Sequence, residues 1–220
     1  MECKICKGEC IKWGTGSGKQ RYRCNSCKRT CYKGYSYKAC HPQTNRQITV
    51  LLKEGCGISS ISRIMDISAV TVIKRILFIA SGIKKPPVAI GKTYEADELK
   101  TYVQKKDNEQ WIVYAIDRDT RGVVDFRVGK RSKRNIKPVI ETLLLSEATK
   151  IYTDKLNTYA ALIPAPVHRT NIYGINHIER KNLSLRTHLK RLSRKTICFS
   201  KSTSVLVACL KIYFWFGSIG

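Results

Sequence analysis

Trp111-Ile-Val-Tyr-Ala-Ile-Asp117 is an unbroken apolar run closed by an acid, and Val123 to Val128 is a second apolar run. Asp119-Thr-Arg-Gly122 supplies turn residues between them, so the pair reads as a β-hairpin. Ahead of it, Tyr94 to Val103 reads as a strand. Behind it, Asn135 to Leu145 has helical spacing, with Ile136, Val139, Ile140, Leu143 and Leu144 apolar. Lys150 to Thr153 is a short fourth strand ending at Asp154. A helix around Asn157 to Leu162, a short strand near Arg169 to Tyr173 and a long basic helix from Asn176 to Lys195 complete the series. The order β-β-β-α-β-α-β-α predicts an α/β domain, a mixed sheet covered by helices, over residues 85–220.

Upstream, the paired prolines of Ser81-Gly-Ile-Lys-Lys-Pro-Pro-Val cannot continue a helix and mark a boundary. From Thr44 up to them the period is helical. Ile48, Leu51 and Leu52 mark one helix, ending at Gly55-Cys-Gly. Ile58, Ile61, Ile64 and Met65 mark a second, and after Asp66-Ile67-Ser68 a third carries Val70, Ile73, Ile76 and Leu77. Helix, short turn, helix over residues 42–84 predicts an all-α helix-turn-helix domain, with Thr71, Lys74 and Arg75 presented to a DNA major groove. A plain three-helix bundle is the other reading of the same spacing.

Eight of the ten cysteines precede residue 57. Cys3-x-x-Cys6 and Cys24-x-x-Cys27 are matched pairs, and the Gly14-Thr-Gly-Ser-Gly turn lets a hairpin bring them together. Four thiolates on two tight turns suit tetrahedral zinc, so residues 1–41 are expected to form a small zinc ribbon with a closed structural site. Cys10, Cys31, Cys40 and His41 are the competing ligands, and the spacing of Cys6, Cys10, Cys27 and Cys31 permits a swap.

The whole chain has 220 residues, 41 Lys and Arg against 16 Asp and Glu, and a net charge of +25. Division near residue 85 leaves +13 before it (17 basic, 4 acidic) and +12 after it (24 basic, 12 acidic). With 43% hydrophobic residues the chain is not disordered, and its excess charge calls for a polyanion, nucleic acid by default. A membrane partner is not expected. The longest apolar stretch, Thr203 to Gly217, is interrupted by Lys211 and falls short of the ~18 residues that a span needs. The opening residues carry no apolar export segment, so the protein is expected to work in the cytoplasm.

Three acids in the α/β domain are placed for chemistry. Asp97 lies inside the first strand, Asp154 at the end of the fourth and Glu179 in the first turns of the last helix. Clustered carboxylates repel unless a cation sits among them, which predicts divalent metal and phosphodiester chemistry. Glu98, Asp117 and Asp119 are rivals for the early position. Strand alternation puts Glu95 and Asp97 on one face and turns Glu98 away unless a bulge intervenes, and Asp117 and Asp119 lie at the hairpin end, where carboxylates serve the turn. On the last helix Glu179, Asn182, Arg186 and Lys190 share one face, and the eight basic residues between Arg180 and Lys201 meet no acid, as a phosphate-binding face would require.

These residues resemble the transposases of the compact bacterial insertion-sequence-one family. The matching stretches are Arg21-Tyr-Arg-Cys-Asn-Ser-Cys27, Ser62-Arg-Ile-Met65, Thr71-Val-Ile-Lys74, Asp97-Glu-Leu99, Tyr114-Ala-Ile-Asp-Arg118, Tyr152-Thr-Asp154, Ile178-Glu-Arg-Lys-Asn182 and Arg194-Lys-Thr-Ile-Cys-Phe-Ser200. The resemblance implies a zinc ribbon, a helix-turn-helix for terminal inverted repeats, and a ribonuclease-H-like domain. Its Asp-Asp-Glu triad carries over to Asp97, Asp154 and Glu179, with Arg186 as the basic residue that follows. The expected function is a DNA transposase that cleaves strands and transfers them to target DNA, using structural zinc and two catalytic magnesium or manganese ions. Lys190 and Arg194 join Thr71, Lys74 and Arg75 as expected DNA contacts. Joining two ends implies a homo-oligomer on the bacterial nucleoid. A non-catalytic DNA-binding regulator, or an inactive remnant, is the alternative.

Overall fold

The computed structural model describes residues 1–33, 37–171, 174–196 and 198–217. Two compact units are present, Met1–Thr44 and Asn45–Gly220. In the first, β1 (Cys10–Gly16), β2 (Lys19–Cys24) and β3 (Thr30–Tyr32) form an antiparallel sheet in that order. The expected turn joins β1 to β2, with Gly14 and Gly18 at positive φ. Both cysteine pairs flank this sheet.

The second unit contains both the helical segment and the mixed sheet. Helices α1 (Thr44–Lys53), α2 (Ile58–Met65) and α3 (Ala69–Gly82) match the expected positions. The turn between α2 and α3 rests on Asp66 at φ 51, and the Ser68 hydroxyl accepts from the Thr71 amide to cap α3. The buried row of α3 is Val72, Ile76 and Ala80, whereas Ile64 and Val70 are each 61% exposed. Ile76 of the expected Val70–Ile73–Ile76–Leu77 stripe is buried, but Val70 and Leu77 are exposed, so the apolar face is rotated toward Val72 and Ala80. A further helix, α7 (Thr203–Trp215), packs on α3 and selects the face that is buried.

The hairpin read from the sequence is formed by β5 (Lys105–Asp117) and β6 (Val123–Gly129), and β4 (Thr93–Val103) pairs antiparallel with β5. Helix α4 (Lys133–Leu145) then leads to β7 (Lys150–Tyr152), which lies parallel to β4. A short α5 (Asn157–Ala160) precedes β8 (His168–Arg169), parallel to β7. The strand order is β6-β5-β4-β7-β8, a mixed five-stranded sheet as expected. The strand expected near Arg169 to Tyr173 extends outside the described residues at 172 and 173.

Alternation along β4 and β5 sends side chains to two cores. Leu99, Ile112, Tyr114 and Ile116 pack with Ile178, Leu185, Leu206, Leu210 and Phe214. On the other face Ala96, Val113 and Ala115 pack with Ile136, Val139, Ile140 and Leu143 of α4, and with Tyr159. Because β5 is covered on both faces, its run of apolar residues needs no polar alternation.

Two elements differ from the sequence reading. The basic helix, α6 (Asn176–His188), stops short of Lys195. Leu189 is extended, Lys190–Leu192 make one 3₁₀ turn, and the Ser193 hydroxyl donates to the Arg186 carbonyl, satisfying the end of the helix. The turn lets both Leu189 and Leu192 be buried. The stretch from Thr203, assigned no element from sequence, is α7. It is apolar nearly all round, and a helix of that kind is buried. Lys53 Nζ donates to the Phe216 carbonyl at 2.6 Å, and Gly55 lies so close to α6 that a Cβ would stand 2.5 Å from the His188 carbonyl oxygen. Within this unit the three helices and the sheet thus share one framework, although the sequence places a boundary near residue 85.

Candidate active site

Strand β4 pairs with β7 through Thr93, Tyr94 and Glu95, and among the described residues no strand covers its edge from there until Val103 meets Ser200. Glu95 lies opposite Tyr152, and continuing that parallel register brings Asp97 beside Asp154, just past the end of β7. Asp97, Asp154 and Glu98 each offer an oxygen within 4.8 Å of the others. Asp97 leaves the strand on the α6 face and Glu98 on the α4 face. They meet at Asp154 because no strand covers the edge between them. By alternation Glu98 should point away from Asp97, which holds for a strand paired on both sides but not at an open edge.

Glu179 is exposed and lies outside this group of three, but it acts electrostatically on Asp97. Burial pushes the Asp97 carboxyl up to about 6. The Glu98 amide and the Asn182 side chain pull it down, and the charges of Asp154 and Glu179 push it up. Asn182 Nδ2 donates to Asp97 Oδ2 at 2.6 Å, and the Tyr114 hydroxyl holds the Asn182 carbonyl oxygen at 2.8 Å. Glu98 is pushed up to about 7, first by burial, against the pull of Arg131. Arg131 stands 3.6 Å from Glu98 and 4.0 Å from Asp154, its guanidinium 4.6 Å over the Trp111 ring. Glu98 Oε1 is buried and makes no well-formed hydrogen bond among the described residues, with the equally unpartnered Tyr159 hydroxyl as its polar neighbour. An orphaned carboxylate oxygen beside two further carboxylates is a donor set of the hard oxygen type that magnesium and manganese take.

The helix bearing Glu179 is fastened from below. Glu95 is fully buried, and its carboxylate accepts from the backbone amides of His177 and Ile178 at 3.1 and 2.9 Å. His177 Nδ1 is 2.5 Å from it and Arg118 Nε 3.3 Å. A carboxylate at the amino end of a helix satisfies amides that have no partner within the helix and meets its positive pole. The two-residue spacing that puts Glu95 and Asp97 on one face of the strand is the sequence signal for this residue.

The rivals resolve by their contacts. Asp117 accepts from the amides of Asp119 and Thr120, and Asp119 pairs with Lys92, so both serve the hairpin turn. Arg186 donates to the Leu192 carbonyl at 3.1 Å. Lys190 and Arg194 are exposed, Lys74 is exposed on α3, and Thr71 and Arg75 are half-buried.

In the first unit, Cys3, Cys6, Cys24 and Cys27 gather their sulfurs within 4.8 Å. Cys3 to Cys27 is 3.7 Å and Cys6 to Cys24 is 3.4 Å, close to the ~3.8 Å edge of a tetrahedron with ~2.3 Å zinc–sulfur arms. The Cys27 amide draws the Cys24 thiol down to about 6 against the opposing effect of burial, and the Cys6 and then Ile5 amides lower Cys3. Cys27 is pushed up to about 11, where burial and the neighbouring thiols outweigh the pull of the Arg29 amide, so the fit to the metal rests on the tetrahedral spacing of the four sulfurs. Cys10 is pushed up to about 12 by burial and then by Cys31, and Cys10, Cys31, Cys40 and His41 lie outside the group of four.

A mixed sheet that gathers carboxylates at the open edge of its central strand, in a strongly basic chain, defines a nucleic-acid-processing enzyme. The profile described as IS1 transposase matches residues 92–214. The chain therefore belongs to the IS1 transposase family. It is 34% identical over 111 residues to the insertion element iso-IS1n protein InsB of Shigella dysenteriae, and 35% identical over 111 residues to the insertion element IS1 protein InsB of Shigella flexneri. Each alignment covers 50% of this chain and 85% of the relative. The HTLV-2 integrase catalytic core domain in complex with magnesium overlaps it with a TM-score of 0.38 and 13% identity, over 61% of this chain and 90% of that one. An overlap of that extent adds nothing to the assignment. Among the described residues no helix is long and apolar enough to cross a membrane.

Proposed function

We propose that this chain is a metal-dependent DNA transposase that binds the terminal inverted repeats of its element, breaks a strand there and joins the freed 3′ end to target DNA. The observation that carries the reading is the meeting of Asp97, Asp154 and Glu98 within 4.8 Å at the edge of β4, with Glu179 acting on Asp97 from α6. The sheet is read as ribonuclease-H-like, and Asp97, Asp154 and Glu179 as the Asp-Asp-Glu triad. Two magnesium or manganese ions held there would supply an activated attacking oxygen and neutralise the leaving one. The chain's own groups do the positioning. Asn182 and Tyr114 fix the Asp97 carboxylate, Glu95 fixes the start of α6, and Arg186 meets a phosphate. On this reading α2 and α3 form a helix-turn-helix that offers Thr71, Lys74 and Arg75 to DNA, while Lys190 and Arg194 extend the contact. Cys3, Cys6, Cys24 and Cys27 hold structural zinc. Synapsis of two ends requires a homo-oligomer.

The test is cleavage of a labelled duplex carrying an element end and its flank. Wild-type protein should nick it with magnesium and not with EDTA. Asp154→Asn should bind the duplex normally and leave it intact. Cleavage by the variant at the wild-type rate would end the proposal.

A further inference from the structure

Beyond the carboxylates, the open edge of β4 runs into a cavity of about 350 Å³ whose walls include Lys106, Arg186, Arg191, Arg194 and Lys195. It begins at Lys100 and Thr101, three to four residues past Asp97, or on the order of 10–13 Å along the strand. Its charges are of one sign. The Lys100 charge is taken by Glu109, but Lys106, Arg194 and Lys195 have no carboxylate partner among the described residues. Arg186 titrates below its ordinary value, through burial and then through the charge of Arg194, so the cations repel one another across the space. Like charges packed around a cavity favour an anion inside it.

Two aromatic side chains line the same cavity. Tyr102 and Phe199 meet edge to face, with ring centroids 5.6 Å apart, and both are half-buried. Cations that track a backbone, interleaved with aromatic faces on which bases stack, are the means by which proteins hold single-stranded nucleic acid. The volume falls within the ~300–1,000 Å³ of cavities that enclose small ligands, enough for one nucleotide and far too small for a duplex.

We propose that this cavity binds an unpaired DNA strand next to the carboxylate cluster, Lys106, Arg191, Arg194 and Lys195 engaging its phosphates and Tyr102 and Phe199 receiving one unstacked base. The proposal rests on the transposase reading and adds to it a single-strand site distinct from the duplex contacts of α3. A strand opened at the element end would leave the carboxylates along β4 and be held away from its complement within its first few nucleotides.

The test uses the full-length protein, a fluorescent single-stranded decamer and anisotropy in EDTA, so that cleavage plays no part. Lys106→Ala with Lys195→Ala should weaken strand binding about tenfold and lower the salt slope by about 1.4, at ~0.7 per phosphate contact. Tyr102→Leu should weaken it at least about fivefold with the salt slope unchanged, as loss of stacking requires. Lys150 is exposed at the start of β7, opposite Thr93 and seven residues along β4 from Lys100, and Lys150→Ala should match the wild type. Binding of the closed duplex end should change less than twofold in every variant. Wild-type strand affinity in both cavity variants would overturn the proposal. So would displacement of the decamer by millimolar dTMP or inorganic phosphate as effective as that by unlabelled strand, because the cavity would then be a mononucleotide or anion site. Loss of magnesium-dependent nicking with strand binding intact would count against the transposase reading and leave the cavity assignment standing.

Discussion

Asp97→Asn should make the metal-free protein more stable at pH 8 while abolishing strand cleavage. The Asp97 carboxyl sits at about 6 in the fold, against an ordinary 3.8. A raised carboxyl favours its neutral form, so stability is fully present below the unfolded value and is lost as pH rises through the folded one. Between 3.8 and about 6 the unfolded chain releases the proton first, and above that window the loss is constant. Two units at ~1.4 kcal/mol each give about 3 kcal/mol, which the neutral asparagine does not incur. For a unit of this size that is on the order of 5–10 °C in Tm. Glu98, raised from 4.5 to about 7, carries the same sign and extends the window to neutrality. Since the Asp97 charge is among the causes that raise Glu98, Asp97→Asn with Glu98→Gln should gain less than the sum of the single effects.

The assay is thermal unfolding by circular dichroism in EDTA at pH 8 and pH 5, repeated with magnesium. The advantage of the variant should fall to about half at pH 5, where the wild-type carboxyl is largely protonated in the fold. Magnesium should raise the wild type toward the variant, because a bound cation relieves the same repulsion. A variant that melts at or below the wild type at pH 8 without metal would refute the reasoning, as would an advantage that does not change with pH.

Three further outcomes follow from the other contacts. Glu95→Gln keeps the shape of the side chain that anchors α6 but removes its charge. At ~1.5–3 kcal/mol for a hydrogen bond to a charged group, Tm should drop by several degrees, and the magnesium needed for half-maximal cleavage should rise while end binding stays normal. An unchanged magnesium requirement would reduce Glu95 to a purely structural role. Cys24→Ser with Cys27→Ser should release zinc, measured by elemental analysis, and unfold the first unit, since metal binding there is folding free energy. Full zinc content in that protein would remove the four-thiolate assignment. Lys74→Ala with Arg75→Ala should weaken duplex-end binding and reduce its salt slope by up to about 1.8, and an unaltered slope would move the DNA contact away from α3.

Elements whose period is set locally were legible in the sequence. The β5–β6 hairpin, α1 to α4 and the two cysteine pairs follow from alternation, helical spacing and turn residues. What was misread depends on partners distant in the chain. The buried face of α3 is chosen by α7, a helix some 130 residues later. The end of α6 is set by the packing of Leu189 and Leu192 into the core that holds Leu99, Tyr114 and Leu206, while its basic residues would have allowed it to continue.

The same distinction governs the carboxylates. Alternation correctly put Asp97 and Glu95 on one face of β4 and Glu98 on the other, and it correctly left Asp117 to the turn. The further step, that opposite faces mean separate sites, assumed a neighbouring strand on each side of β4. Strand β7 ends at Tyr152, so past Glu95 the edge is bare, and a side chain from either face can reach round it to Asp154. A short parallel strand is hence what makes a site here: it delivers Asp154 at its end and leaves the edge of β4 uncovered. Past the carboxylates β4 reaches Lys100 and Thr101 at the basic cavity. Pairing residues 153 and 154 with β4 would close the edge round which Glu98 reaches Asp154, so the early end of β7 is better understood as a requirement of the site than of the sheet.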